Sequence, residues 1–321
     1  MNIFITGAAG FIGSHVCEYF TQQDHHVIGL DNFDDFYPRK LKLLNFSELN
    51  QRKNFIFYEG DIRDANILNT IFASHKIDVV IHLAAKAGVR PSIEAVNEYY
   101  DVNVKGTLTI LEAMRQFKIS KMLFASSSSV YGNNPKVPFS ETDVVDYPIS
   151  PYASTKRGGE LLCHVYYHLY HFDITCLRFF TVFGPRQRPD LAIHKFTKLI
   201  DQGKPIPFFG DGSTSRDYTY IDDIVNGIAC ALVNLKGYHI YNLGESSVIT
   251  LKKLVETLEN NLNKKAVLNK LPLQQGDVNR TYADISTTKK EIGYAPKIDF
   301  DSGIKKFIEW YTINKAALNN E

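Results

Sequence analysis

The feature that most constrains this chain lies at its start. The β-branched run Asn2-Ile3-Phe4-Ile5-Thr6 passes directly into Gly7-Ala8-Ala9-Gly10-Phe11-Ile12-Gly13-Ser14, and from His15 to Gln23 apolar residues recur at helical spacing. A strand that turns into a helix through three glycines brings free backbone N–H groups and the positive end of the helix dipole together, an arrangement suited to a pyrophosphate. The spacing is G-x-x-G-x-x-G rather than G-x-G-x-x-G, and glycines alone could mark only a tight turn beneath a closely packed helix. The second run, His26 to Asp31, closes on a carboxylate eighteen residues after Gly13. An acid there accepts ribose hydroxyls and repels a 2′-phosphate, so the expected cofactor is NAD rather than NADP. Asp61, at the end of the next run, is a candidate for the adenine edge, or else a strand-end turn residue or helix cap.

The rest of the first half repeats that alternation. NIFIT, HVIGLD, FIFYEGD, VVIHLA, KMLFASS and ITCLRFF read as strands separated by amphipathic stretches. This predicts an α/β fold with a Rossmann-type, doubly wound parallel sheet and helices on both faces. After about Arg178 the pattern turns irregular, with a helix-like stretch near Ile221–Leu235, and HIYNLGE then reads as a strand able to return to the main sheet. The expected division is a cofactor-binding domain over 1–178 with about 217–246, and a smaller, discontinuous C-terminal α/β substrate domain over 179–216 and 247–321. Helical Leu251–Asn263, a loop around Gly276–Asp277 and a last helix near Ser302–Asn314 complete the second.

Composition excludes other classes. With 36 basic against 35 acidic residues the formal charge is +1, which lacks the footprint of a nucleic-acid or membrane-surface protein. No apolar run approaches the roughly 18–20 residues a bilayer span needs. No secretory signal is read, and Cys17, Cys163, Cys176 and Cys230 show no C-x-x-C spacing, so a cytoplasmic protein with reduced thiols is expected. The basic segment Pro38–Lys53 reads as a solvated helix face rather than a nucleic-acid patch. His164, His168 and His171 share a helical face but are interleaved with tyrosines and lack an acidic fourth ligand, so no metal is expected.

Chemistry concentrates in two further segments. Ser126-Ser127-Ser128-Ser129-Val130-Tyr131-Gly132 follows the fifth strand, and Tyr152 and Lys156 lie four apart in Pro151-Tyr152-Ala153-Ser154-Thr155-Lys156, on one face of a helix start. An ammonium held beside a phenol favours the phenolate, making Tyr152 a plausible general base, with a serine hydroxyl to hold the substrate oxygen.

Together GAAGFIGS, DNF, GDIRD, HLAA, NVKGT, SSSSVYG, SPYASTK, RFFTVFGP, GDGSTSRDYTYIDD and YNLG resemble, in order and over nearly the whole chain, the extended short-chain dehydrogenase/reductases, and among them the nucleotide-sugar epimerases. The resemblance implies Ser127, Tyr152 and Lys156 as catalytic residues and Asn103 as the asparagine that orders the site. It implies NAD contacts at Gly7, Gly10, Phe11, Ile12, Asp31, Asn32, Asp61, Ile62, Leu83, Ala84, Ala85, Lys86 and Phe179, with Asn103, Tyr152 and Lys156 beside them. Arg216 matches the arginine that meets a UDP diphosphate, or it pairs with Asp217 or Asp222. Asp277 is a further substrate candidate.

Dehydratases of this family carry Asp-Glu before Val-Tyr-Gly, and related decarboxylases carry Glu next to the valine. Here Ser128 and Ser129 stand there, which disfavours both reactions, and the resemblance implies 4-epimerisation through a 4-keto sugar. The segment Arg178–Asp190 resembles UDP-glucuronate 4-epimerases, in which Thr181 and Arg188 would address the sugar carboxylate, unless Arg188 instead binds phosphate or pairs with Asp190. Val89 and Arg90 are expected at the sugar with Ser127 and Ser128. Thr281 stands where bulk limits N-acetyl sugars. Runner-up readings are a UDP-glucose or UDP-N-acetylglucosamine 4-epimerase and, in another class, an NAD-binding sensor without turnover. The family's helix pairing, Asn103–Phe117 beside the helix bearing Tyr152, implies a homodimer.

Overall fold

The computed structural model describes residues 1–272 and 280–319. Its strands are β1 (Asn2–Thr6), β2 (His26–Asp31), β3 (Phe55–Glu59), β4 (Val79–His82), β5 (Lys121–Ser127), β6 (Asp173–Phe179), β7 (Thr181–Phe183), β8 (Pro205–Phe209), β9 (Ser215–Arg216), β10 (Tyr218–Tyr220), β11 (Tyr238–Leu243), β12 (Ile249–Thr250) and β13 (Val267–Leu271). Seven form one parallel sheet in the order β11-β6-β5-β4-β1-β2-β3. The six runs expected in the first half all lie in it, and β11 returns to its edge beside β6, as HIYNLGE suggested.

A parallel strand covered by helices on both sides must be apolar on both faces. The central β1 is: Ile3 and Ile5 enter one apolar layer with Val16 and Phe20, while Phe4 enters the other with Ile28, Leu30 and Leu68, and all eight are buried. The chain builds β1, β2 and β3 in one direction and then crosses back to lay β4 on the far side of β1. Strand order therefore reverses between β1 and β4, and a crevice opens at their C-terminal ends.

Outside this sheet, β7 pairs with β10, β9 with β12, and β8 with β13. The helix Leu251–Leu262 packs against both Ala192–Asp201 and the terminal helix Phe300–Asn319, which runs longer than its apolar spacing predicted. The basic segment is a correction. Its helix is Arg39–Phe46, and Lys42 is buried, donating to the Asp34 carbonyl at 2.6 Å, so this is no uniformly solvated face. No helix among the described residues is long and apolar enough to cross a membrane. All four cysteines carry free thiols.

Candidate active site

The crevice holds a cavity of about 450 Å³ running from the glycine turn to the ends of β5 and β6. At the turn Gly7 has φ +71°, and a Cβ on it would come within 2.9 Å of the Ala84 backbone nitrogen. A Cβ on Gly13 would stand 1.9 Å from the Gly7 carbonyl oxygen, so only glycine lets the helix Phe11–Gln22 seat on the turn. Asp31, at the end of β2, accepts the Ala9 N–H (3.1 Å) and the Phe33 N–H (2.8 Å). Burial pushes its carboxyl up, while Lys42 and those N–H groups pull it back. Asp61 is held by Arg63 (2.7 Å) and by the Asn32 amide (2.9 Å), and its carboxyl drops to about 2. It is therefore a fixed strand-end residue on the cavity wall, and Asp64 is the residue that caps the next helix.

At the other end, Ser150 accepts the Ala153 N–H at 3.2 Å and Pro151 opens the helix Pro151–Tyr170, so Tyr152 stands in its first turn. Ser127 closes β5, its hydroxyl 3.1 Å from that of Ser129. Burial raises the Tyr152 phenol above its ordinary value, and a hydrogen bond with Ser127 and the charge of Arg188 pull it back. Lys156 lines the same cavity as Tyr152 and Ser127, but its reach is toward β5. Its ammonium donates to the Ala125 carbonyl at 2.7 Å, and burial brings it down to about 8. A second cation on this wall, Arg188 from the loop after β7, lowers the Tyr152 phenol.

Asn103 also departs from a simple cofactor contact, because it stands behind the cavity wall. It lies in a π-helical turn, Asp101–Lys105; its carbonyl accepts the Lys86 N–H (2.8 Å), and its amide donates to the Lys86 carbonyl (3.0 Å) and to Thr155 Oγ1 (3.0 Å). Thr155 in turn donates to the Tyr152 carbonyl at 2.8 Å. Beneath the serines, Glu160 and Arg178 form a fully buried pair whose carboxylate also accepts Ser126 Oγ at 2.6 Å.

Of the other expected residues, Gly10, Phe11, Ile12, Asn32, Ile62, Leu83, Ala84, Ala85, Lys86, Val89, Ser128, Phe179, Thr181 and Arg188 line this cavity. Arg90 and Arg216 are not brought to its wall. The Arg90 guanidinium lies 5.1 Å from the Phe209 ring, and Arg216 Nη1 donates to the Ser215 carbonyl at 2.9 Å. Thr281 is buried and accepts the Asp217 N–H at 3.0 Å. Asp277 lies outside the described residues. Arg188 is bidentate to Asp190, at 3.0 and 2.8 Å. Unforeseen on the wall are Asp34, Phe36, Tyr37 and Lys42, from the turn and helix after β2, and Leu191. The aromatic cluster Phe33–Tyr37 was the available signal.

A narrow glycine turn, a carboxylate at the end of β2 and an apolar wall at Ile62 and Leu83 fit a dinucleotide laid across the sheet's reversal point. The serines, phenol and guanidinium beyond it can hold a polar substrate and move a proton.

The GDP-mannose 4,6 dehydratase family model matches residues 4–307. A UDP-glucuronate 4-epimerase of Thermodesulfobacterium geofontis (strain OPF15) is 46% identical over 308 residues, covering 95% of this chain and 94% of its own. The solved structure of UDP-glucuronic acid 4-epimerase from Bacillus cereus, in complex with UDP-glucuronic acid and NAD, superposes with a TM-score of 0.92 at 38% identity, covering 98% of this chain and 99% of that one. A UDP-glucose 4-epimerase of Thermotoga maritima, with UDP-glucose, gives a TM-score of 0.88 at 32% identity, covering 98% of this chain and 100% of that one. Matched along nearly its whole length, the chain belongs to the GDP-mannose 4,6 dehydratase family, within the extended short-chain dehydrogenase/reductases.

Proposed function

We propose that this chain is an NAD-dependent 4-epimerase interconverting UDP-glucuronate and UDP-galacturonate. The observation that carries the reading is a guanidinium, Arg188, on the same cavity wall as Thr181, Ser127 and Tyr152, close enough for its charge to act on the phenol. A wall so equipped suits a sugar bearing a carboxylate one carbon beyond the ring.

The glycine turn holds the dinucleotide pyrophosphate and Asp31 its ribose. NAD, when bound there, supplies the acceptor that takes the C4 hydride and returns it to the opposite face. Tyr152 removes the C4 hydroxyl proton and later restores it, while Ser127 holds the C4 oxygen. Arg188 and Thr181 hold the C6 carboxylate, which keeps the breaking C5–C6 bond out of line with the C4 carbonyl and so retains CO2. Serines at 128 and 129 offer no acid and base for loss of water.

One observation favours a second reading. Because Asp190 already neutralises Arg188, a neutral hydroxymethyl group could stand beside it, which gives UDP-glucose or UDP-N-acetylglucosamine a footing as substrate. Free thiols support a cytoplasmic setting. Leu108, Leu161, Val165 and Leu169 lie exposed on neighbouring helices and support a homodimer. A monomer mass by light scattering at micromolar concentration would remove the dimer.

Incubation with UDP-glucuronate, UDP-glucose and UDP-N-acetylglucosamine, followed by product separation, tests the function. UDP-galacturonate is the expected main product, and far better turnover of UDP-glucose would sink the assignment of Arg188. Tyr152→Phe should keep NAD and lose at least about a hundredfold in kcat. Near-normal turnover would show that another group is the base.

A further inference from the structure

The function proposed above gives Arg188 a carboxylate to bind, yet Arg188 already has one. The segment Arg188-Pro189-Asp190-Leu191 forms a tight turn closed by the Leu191 N–H on the Arg188 carbonyl at 3.2 Å, with proline at its second position. This turn puts the two side chains together, and Asp190 receives the Nε and Nη2 edge of the guanidinium at 3.0 and 2.8 Å. That edge presents two parallel donors, the geometry by which arginine grips any carboxylate.

The partners are unequally anchored. The Arg188 side chain is 16% exposed and lies 4.9 Å from the Phe36 ring, whereas that of Asp190 is 40% exposed. Releasing Asp190 returns a carboxylate to water, which solvates it well. Leaving Arg188 without a partner strands a largely dehydrated cation, which only another anion offsets. A neutral sugar therefore has no means to displace Asp190. A uronate does.

We propose that Asp190 is a built-in competitor for the sugar carboxylate, so that a uronate substrate binds by exchanging one carboxylate for another on Arg188, and that Asp190 sets how strongly the site discriminates charged from neutral nucleotide sugars. The inference rests on the UDP-uronate reading above. Asp190 is a specificity residue in this scheme and touches no reacting atom. It keeps Arg188 compensated when a neutral sugar or no sugar is present, and it weakens uronate binding by occupying the donor edge and by repelling the incoming charge.

The test is calorimetric titration of UDP-glucuronate and UDP-glucose into NAD-loaded Tyr152→Phe protein, with and without Asp190→Asn. The substitution should lower Kd for UDP-glucuronate about fivefold, the scale of a partly exposed ion pair, and leave UDP-glucose within about twofold. In the parent enzyme Asp190→Asn should lower KM for UDP-glucuronate with little change in kcat. Asp190→Glu, which keeps the charge, should keep the wild-type ratio of affinities. A weaker or unchanged UDP-glucuronate affinity in Asp190→Asn, or an equal shift for both sugars, overturns the competitor role while turnover of UDP-glucuronate by wild type leaves the function intact. Failure of wild type to bind or convert UDP-glucuronate overturns both.

Discussion

Replacing Glu160 by Gln is the most exacting test of how the serine-bearing strand is held. Glu160 is fully buried; Oε1 accepts Ser126 Oγ (2.6 Å) and Arg178 Nε (2.8 Å), and Oε2 accepts Arg178 Nη2 (2.9 Å) and Arg157 Nη1 (3.1 Å). Every lone pair of this carboxylate faces a donor. In the amide one oxygen becomes NH2, and whichever way it flips that NH2 meets an N–H of Arg178. Arg178, 1% exposed, would then keep one bond to the amide oxygen and the Tyr131 hydroxyl at 3.0 Å, with its counter-charge gone. Breaking one side of a buried pair costs about 3–5 kcal/mol. With an unfolding entropy of about 2.1 cal/mol/K per residue, a chain of this length should lose about 6 °C in Tm for about 4 kcal/mol. Because Ser126 precedes Ser127, kcat should also fall, by roughly ten- to a hundredfold, with NAD still retained. Urea and thermal unfolding of the variant give the first number, and turnover of UDP-glucuronate the second. The double variant Glu160→Met with Arg178→Met removes both charges and should recover at least half of the lost stability. A single-variant loss under about 1 kcal/mol, or a double variant no better than the single, would refute the account of a dehydrated charge pair beneath the serines.

Two further outcomes are expected. His82 is buried between Thr6 Oγ1 (2.7 Å) and Thr107 Oγ1 (3.0 Å), and burial holds it neutral with a pKa near 3 against an ordinary 6.5. Below pH 6.5 the unfolded chain takes up a proton that the folded chain refuses, so stability falls with pH, by about 2 kcal/mol at pH 5 from this group alone. Urea midpoints should therefore drop less between pH 7 and pH 5 in His82→Asn than in wild type, and parallel curves would show that His82 protonates in the folded state. Gly13→Ala forces the first helix off its turn and should leave the purified protein with less than about a tenth of the wild-type bound NAD, measured after heat release; full occupancy would show that the turn can shift without losing its N–H groups.

Much of this architecture was legible because periodicity reports burial. β1 is apolar at every central position since both its faces are covered, and its run into three glycines has few alternative conformations. Tyr152 and Lys156 share a face for the geometric reason that four residues make about one helical turn. What spacing could not reveal was the partner. Lys156 finds the Ala125 carbonyl because β5 lies beneath the helix, a tertiary fact carried by residues thirty-one positions away. Lys42 is buried because the turn after β2 folds back over it, although a count of charges in Pro38–Lys53 suggested a wet surface. Asp61 was readable as an adenine contact or as a strand-end turn residue or helix cap; Arg63 pins it at the strand end, on the cavity wall. For Arg188 the pairing with Asp190 was open from the start, and the proline turn decided it. Motif position put Arg90 and Arg216 near the substrate, whereas among the described residues the cavity wall includes neither: the Arg90 guanidinium lies by Phe209 and Arg216 donates to the Ser215 carbonyl.

The wide helical turn at Asp101–Lys105 has a consequence for what this chain can tolerate. Such a turn amounts to one surplus residue in the winding, and each residue rotates a helix by about 100°. Excising it would restore regular coiling and strengthen the local hydrogen-bond ladder. It would also swing everything downstream through that angle, carrying Ile110 and Met114, both wholly inside the protein, out toward solvent. Asn103 thus keeps its grip on Lys86 and Thr155 through an irregularity that cannot be repaired without dismantling the apolar layer beyond it, which locks a weak point of the helix and the integrity of the core into the same reading frame.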